Sequence, residues 1–298
     1  MDEKRKSRII PWLLVILPVW LIASGVFAIV KYFKDQDTKQ AQTEQRFAKS
    51  VSSESIADDL KKIISLIGER NTSKPEQLAA IASMIQGILG PSNTGYQVYN
   101  IKSPTDFPII KVSISSPNES AGPIWILTSY DSPDQSRGAE KNATGLAATL
   151  ATAQSLADFA PAQPIHFLFL PHVNEDDAPI SKTAITVSKL IEAEAEPRAV
   201  FCIEAMGDAE TLIFSSRDTT ALPAVDFEDL GKILGAEVVC LGDNFDLSST
   251  LFEVNLPAIR ISTRPTLLLN ESDDKIPFAP TVAASTGRLI ELIRRLSR

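Results

Sequence analysis

The sequence predicts an α/β domain built on a mixed, largely parallel sheet with helices on both faces, preceded by one transmembrane helix. Three observations carry this. Strand-length apolar runs alternate with helical stretches through most of the 298 residues. Two amphipathic helices open the domain. Near the start, residues 9–30 are 22 positions without a charge.

The uncharged run comes first. At roughly 1.5 Å per residue it spans about 33 Å, close to the hydrocarbon thickness of a bilayer. Pro11 and Pro18 are tolerated in such a span. Lys4, Arg5, Lys6 and Arg8 crowd residues 1–8, whereas Lys31 and Lys34 are soon diluted by Asp35 and Asp37. The positive-inside bias makes 1–8 a cytoplasmic basic tail and puts the domain in the periplasm or another extracytoplasmic space. Val26-Phe27-Ala28 would pass for a signal-peptidase site. The apolar stretch is longer than the roughly 7–15 residues of a cleaved signal, so the expectation is an uncleaved signal-anchor. Residues 31–54, rich in Gln, Ser and Thr, read as a stalk, and 55–298 as the domain.

Within the domain, Ile56, Leu60, Ile63, Ile64 and Ile67 keep helical spacing, as do Leu78, Ile81, Ile85, Ile88 and Leu89. A strand begins at Gly95-Tyr96-Gln97-Val98. Further strands are expected at 109–114, 124–128, 165–170, 199–203, 211–214, 236–241 and 257–261. Helices are expected near 144–157, 181–195, 226–234 and 280–296. Alternation of this kind implies a sheet buried on both faces, with functional groups at the carboxyl ends of its strands. Those ends are Ser129 to Asp131, Pro171 to Asp176, and Glu204.

Residues 1–34 hold six Lys/Arg against two Asp/Glu, so the chain's net −8 leaves −12 on the remainder. An acidic domain without a basic stripe does not attract nucleic acid. Cys202 and Cys240 sit in apolar runs and read as buried thiols, or as a disulfide if their strands are neighbours. Asn-x-Ser/Thr sequons begin at Asn71, Asn118, Asn142 and Asn270, and matter only in a eukaryotic secretory pathway.

Several spacings together resemble the M28 family of co-catalytic zinc exopeptidases. Ile67-Gly68-Glu69-Arg70 matches a helix ending in Gly-x-Arg. Ser129-Tyr130-Asp131-Ser132 stands where the family has His-Tyr-Asp-Ser. Gly138-Ala139-Glu140-Lys141-Asn142-Ala143-Thr144-Gly145 stands where it has Gly-Ala-x-Asp-Asn-x-Ser-Gly. The strand at 165–170 leads, without a gap, to Val173 and Asn174 at the family's Glu-Glu; a two-residue slip would put Glu175 and Asp176 there. Ile203-Glu204-Ala205-Met206-Gly207 matches strand-Asp-x-x-Gly, and Asn270 falls on the His of His-Thr-x-x-Asp, with Asp274 intact.

The resemblance covers about residues 55–298 and implies a zinc-exopeptidase-like three-layer fold. It also implies that most metal ligands are replaced. Ser129 stands for a histidine, Lys141 for the bridging Asp, Asn174 for a ligand Glu, Glu204 for an Asp and Asn270 for the last His. Two zinc ions about 3.5 to 4 Å apart need a bridging carboxylate, terminal imidazole or carboxylate ligands and a base for the bound water. An ammonium at the bridging point would repel them by several kcal/mol at an effective dielectric of about 20. Lys141 is expected instead to neutralise Asp131 and Glu204, and His166 to be an ordinary strand residue. The first functional expectation is a membrane-anchored pseudopeptidase without a cofactor, binding or scaffolding a protein or peptide. The second is a working zinc aminopeptidase with a site rebuilt from His172, Glu175, Asp176 and Glu204. The third is a metal-free hydrolase with a Ser129–Lys141 dyad.

Overall fold

A computed structural model describes residues 51–103, 106–118, 120–174, 180–217, 247–264 and 275–298, the backbone of 237–240, and the helical positions Gly25 and Lys31. The expected span at 9–30 and its flanks at 1–8 and 31–50 lie, those two positions apart, outside the described residues. Among the described residues no helix is long and apolar enough to cross a membrane. Contacts divide the chain between Lys49 and Ser50, and the α/β unit is Ser50–Arg298.

Helix α1, Ser53–Leu60, starts where the Ser52 hydroxyl accepts the Ser55 N–H, and it continues as a π-helical turn through Lys61–Ile67. That turn ends at Gly68, whose φ of +79° suits a residue without a Cβ. Helix α2 is Pro75–Leu89. Strands β1, Val98–Ile101, and β2, Ile109–Ile114, follow; the first begins three residues after Gly95, because a short helical turn at Pro91–Thr94 takes up the intervening chain. Then come β3, Ile124–Ser129, a π-turn at Ala139–Ala143 and α3, Thr144–Ser155. The rest is β4 (Ile165–Leu170), α4 (Ile180–Glu192), β5 (Ala199–Ile203), β6 (Ile213–Ser216), β7 (Glu237–Cys240), α5 (Leu247–Glu253), β8 (Ile259–Ser262) and α6 (Ala279–Leu296). The expected helix at 226–234 lies outside the described residues, and α5, too short and serine-rich for a periodic pattern, was not anticipated by the sequence.

The sheet runs β1-β2-β4-β3-β5-β8-β6-β7. Its centre, β4-β3-β5-β8, is parallel throughout, while β1, β2 and the β6–β8 pairing are antiparallel. Successive side chains point to opposite faces, so Ile124, Ile126, Phe167, Phe169, Phe201 and Ile203 join α1, α2, α3 and α6. Trp125, Leu127, Leu168, Leu170, Val200 and Cys202 join α4 and α5 on the other face. Burial on both sides explains why these strands read as unbroken apolar runs. Cys202 is a buried thiol. The strands carrying Cys202 and Cys240 are separated by β8 and β6, some 14 Å at about 4.8 Å per strand, beyond the roughly 7 Å that a disulfide spans.

His166 proves more than a strand residue. Its Nδ1 meets Ser113 Oγ at 2.8 Å and its Nε2 meets Glu194 Oε2 at 2.9 Å, with the Trp125 ring 4.4 Å away. Lys111 shares Glu194 and lies over Trp125. Burial first, then Lys111, pulls the imidazole pKa down to about 4, against the opposing pull of Glu194. The ring is thus neutral at pH 7, donating through Nε2 to Glu194 and accepting from Ser113.

Because the unfolded imidazole titrates near 6.5, only the unfolded state gains this proton between about pH 6.5 and 4. Stability should therefore fall with acid across that window, by up to a few kcal/mol. NMR titration of the two histidines checks it: His166 still neutral at pH 5 is expected, and a titration near pH 6.5 would refute the assignment.

Candidate functional site

The carboxyl ends of β3, β4 and β5 bring together most of the positions singled out in the sequence. Asp131 is fully buried just past β3. Its Oδ2 accepts the backbone N–H groups of Val173 and Asn174, both at 2.7 Å, and its Oδ1 accepts from Asn174 Nδ2 at 3.1 Å. The same Nδ2 donates to Ser129 Oγ at 2.8 Å. Ser129, Asp131 and Asn174 therefore form one network. The Ser129 hydroxyl takes its hydrogen bond from Asn174 rather than from Lys141.

Glu204, at the end of β5, accepts at Oε2 from Arg260 Nε at 2.5 Å. Arg260 lies in β8, the neighbouring strand, with its side chain 4% exposed. Sequence reasoning missed it. The available signal was a lone charge inside the apolar run Ala258-Ile259-Arg260-Ile261, since charged side chains are almost never buried unless paired. Lys141 was expected to neutralise Asp131 and Glu204; Arg260 is an ion-pair partner of Glu204 that this expectation did not include. Lys141 is half-buried in the π-turn before α3.

The loops are held by backbone contacts. Arg70, fully buried, donates from Nε to the Tyr130 carbonyl, from Nη1 to those of Gly68, Ile63 and Arg137, and from Nη2 to Asn142 Oδ1. The Arg70 N–H also reaches Ser132 Oγ at 2.9 Å, and Ser132 N–H returns to the Arg70 carbonyl at 2.7 Å. This is the structural content of Gly68-Glu69-Arg70 and of Asn142.

Next along the chain, Thr144 Oγ1 accepts the Met206 N–H at 2.8 Å and Glu140 Oε1 accepts that of Gly207 at 2.8 Å. A Cβ at Gly145 would lie 2.4 Å from the Glu204 carbonyl oxygen, so only glycine lets the start of α3 seat against the end of β5.

His172, at φ +56°, is buried with its ring 5.8 Å from that of Phe107 in an edge-on arrangement. Glu175, Asp176, Asn270 and Asp274 lie outside the described residues. Among the described residues, no group of three or more His, Cys, Asp or Glu side chains is placed to share a metal ion.

No protein-family model and no curated protein matches the sequence. Solved structures do. The LapA aminopeptidase of Legionella pneumophila superposes with a TM-score of 0.66 at 15% identity, over 87% of this chain and 74% of that one. A Zn-dependent exopeptidase from Parabacteroides distasonis gives 0.60 at 15% identity, over 82% and 98%. Glutaminyl cyclase from Porphyromonas gingivalis gives 0.62 at 15%, again over 82% and 98%. Likeness at these identities establishes architecture alone, and the conclusion is that the described residues of the Ser50–Arg298 unit have the fold of these solved aminopeptidase, zinc-dependent exopeptidase and glutaminyl cyclase structures.

Proposed function

We propose that this chain is a membrane-anchored, peptidase-like domain that binds or scaffolds a protein or peptide partner and performs no zinc-dependent hydrolysis. One observation carries the reading: the carboxylates at the carboxyl edge are already engaged by hydrogen-bond donors of the protein itself. Asp131 is wrapped by Val173 N–H, Asn174 N–H and Asn174 Nδ2, and Glu204 by the Arg260 guanidinium. The Ser129 hydroxyl and the Asn174 amide are neutral and not among the imidazole, thiolate and carboxylate groups that hold zinc. A cation at Glu204 Oε2 would compete with Arg260, and with Ser129, Lys141 and Asn174 at the other described ligand positions the described donor set does not fit a zinc pair, so no catalytic step is assigned to one. The membrane part of the proposal rests on residues 9–30 and the basic tail before them.

The test uses the full chain. Protease added outside the cytoplasmic membrane should remove the domain and leave an N-terminal tag protected. Protein extracted from that membrane should carry well under one zinc per chain and show no chelator-sensitive aminopeptidase activity. Two zinc ions per chain, or hydrolysis abolished by a chelator, would overturn the pseudoenzyme reading. A domain protected from protease until lysis would overturn the topology.

A further inference from the structure

On the α4 face of the sheet, at the amino ends of β3 and β4 and away from the candidate site, three side chains form a relay. Ser113 in β2 and His166 in β4 are register partners, and Ser113 Oγ lies 2.8 Å from His166 Nδ1. The other ring nitrogen, Nε2, meets Glu194 Oε2 at 2.9 Å. The neutral ring carries its N–H on Nε2, toward the carboxylate, so the Nδ1 lone pair faces the serine hydroxyl. A serine nucleophile requires this arrangement: a base within hydrogen-bond reach, and an acid that fixes the base's tautomer and faces its positive charge once the proton has moved. The ring is turned end for end relative to the usual serine-protease relay, in which Nε2 meets the hydroxyl, but one nitrogen accepts and the other donates in both.

The surroundings favour chemistry at Ser113. Tyr99 is 55% exposed, and Ser113 and Lys111 are partly so, which leaves this stretch of the face open to solvent. Tyr99 stands directly opposite Lys111 and therefore diagonal to Ser113, a separation of about 7–8 Å that an aromatic group can bridge. Lys111, two positions before Ser113 and hence on the same face, holds its ammonium between Glu194 and the Trp125 ring. It brings a positive charge to the cluster in which a substrate oxyanion would form.

We propose that Ser113, His166 and Glu194 form a metal-free acyl-transfer site for small uncharged aryl esters. Ser113 Oγ bonds to the ester carbonyl carbon as its proton passes to His166 Nδ1 and the carbonyl electron pair moves onto oxygen. The bond from that carbon to the phenolic oxygen then breaks, and Nδ1 returns the proton to the leaving group. Water repeats the sequence on the acyl-serine, which releases the carboxylic acid and restores the Ser113 hydroxyl. Glu194 is a positioning residue, and Tyr99 lies against the aryl group. An imidazole pulled down to about pKa 4 is a weak base, so the leaving group has to be a good one, as a phenolate is. The domain's net −12 works against anionic esters. The site is separate from the carboxyl-edge network and does not depend on whether that network binds metal.

The full chain tests it, with p-nitrophenyl acetate as substrate and an alkyl fluorophosphonate as label. Release of p-nitrophenol should continue in the presence of a chelator, and peptide mass spectrometry should find the label on Ser113. Ser113→Ala removes only a partly exposed hydroxyl and should abolish both, which keeps the test open should a histidine variant fail to fold. His166→Gln should slow release at least about 100-fold. Glu194→Gln should lower kcat at least about tenfold with KM unchanged, whereas Tyr99→Ala should raise KM with kcat unchanged. Because His166 stays unprotonated down to about pH 4, kcat should be level from about pH 5.5 to 8. The proposal is overturned if release survives Ser113→Ala, if the label settles on another residue or on none, or if a chelator abolishes release. A rate that climbs in proportion to hydroxide through this range overturns it as well.

Discussion

Replacing Arg70 with methionine should destabilise the domain by about 4 kcal/mol or more, the largest effect expected of a single substitution here. Methionine keeps much of the apolar stem but removes every donor. Four backbone carbonyls and Asn142 Oδ1 then lose their guanidinium partner together. An unsatisfied buried polar group costs about 1 to 3 kcal/mol, and the relief of no longer burying a charge offsets only part of that sum. Against a typical total stability of about 5–15 kcal/mol, such a loss leaves little margin. Arg70→Lys tests the geometry separately: an ammonium keeps the charge but cannot reproduce the planar fork, so it should fall between wild type and Arg70→Met. Denaturant midpoints at unchanged slope would report both. A loss below about 1.5 kcal/mol for Arg70→Met, well within the ordinary range for point mutants, would mean that the loops are held by something else.

The second large effect is expected at Glu204. Removing its carboxylate leaves the Arg260 guanidinium, 4% exposed, without the partner that holds its Nε. Breaking a buried pair in this way typically costs about 3 to 5 kcal/mol. Glu204→Ala should therefore be strongly destabilising, and Glu204→Ala combined with Arg260→Met should recover part of the loss, giving a coupling energy of about 2 kcal/mol or more. Lys141→Ala in the same cycle should couple to position 204 more weakly than Arg260→Met does. The reverse ranking would assign the counter-ion role to Lys141.

How much of this was legible in the sequence depends on the kind of contact involved. The central strands were readable because a parallel sheet buried on both faces writes itself as apolar runs, such as Ile165 to Leu170. The network at Ser129, Asp131 and Asn174 was locatable because strand ends fix where short loops meet. Of the two positions weighed there, Asn174 and the slipped Glu175, the hydrogen bonds of Asp131 locate Asn174, and Glu175 lies outside the described residues. Arg260 was hidden because its meaning depends on β8 lying beside β5, a pairing that local periodicity does not encode. His166 shows the converse case, an alternating strand position whose partners, Ser113 and Glu194, come from a paired strand and from the turn after α4.

The Arg70 clasp closes on oxygens of the main chain and of one neutral amide. None of these acceptors gains or loses a proton over the physiological range, and none belongs to the imidazole, thiolate and carboxylate set that holds zinc. The loop that bears residues 130–142 is thus shaped by a fastening indifferent to the identity of the side chains at its tip. Such a chassis can carry serine or histidine at 129 and lysine or aspartate at 141 without surrendering its form, so chemistry and architecture at this edge can vary independently.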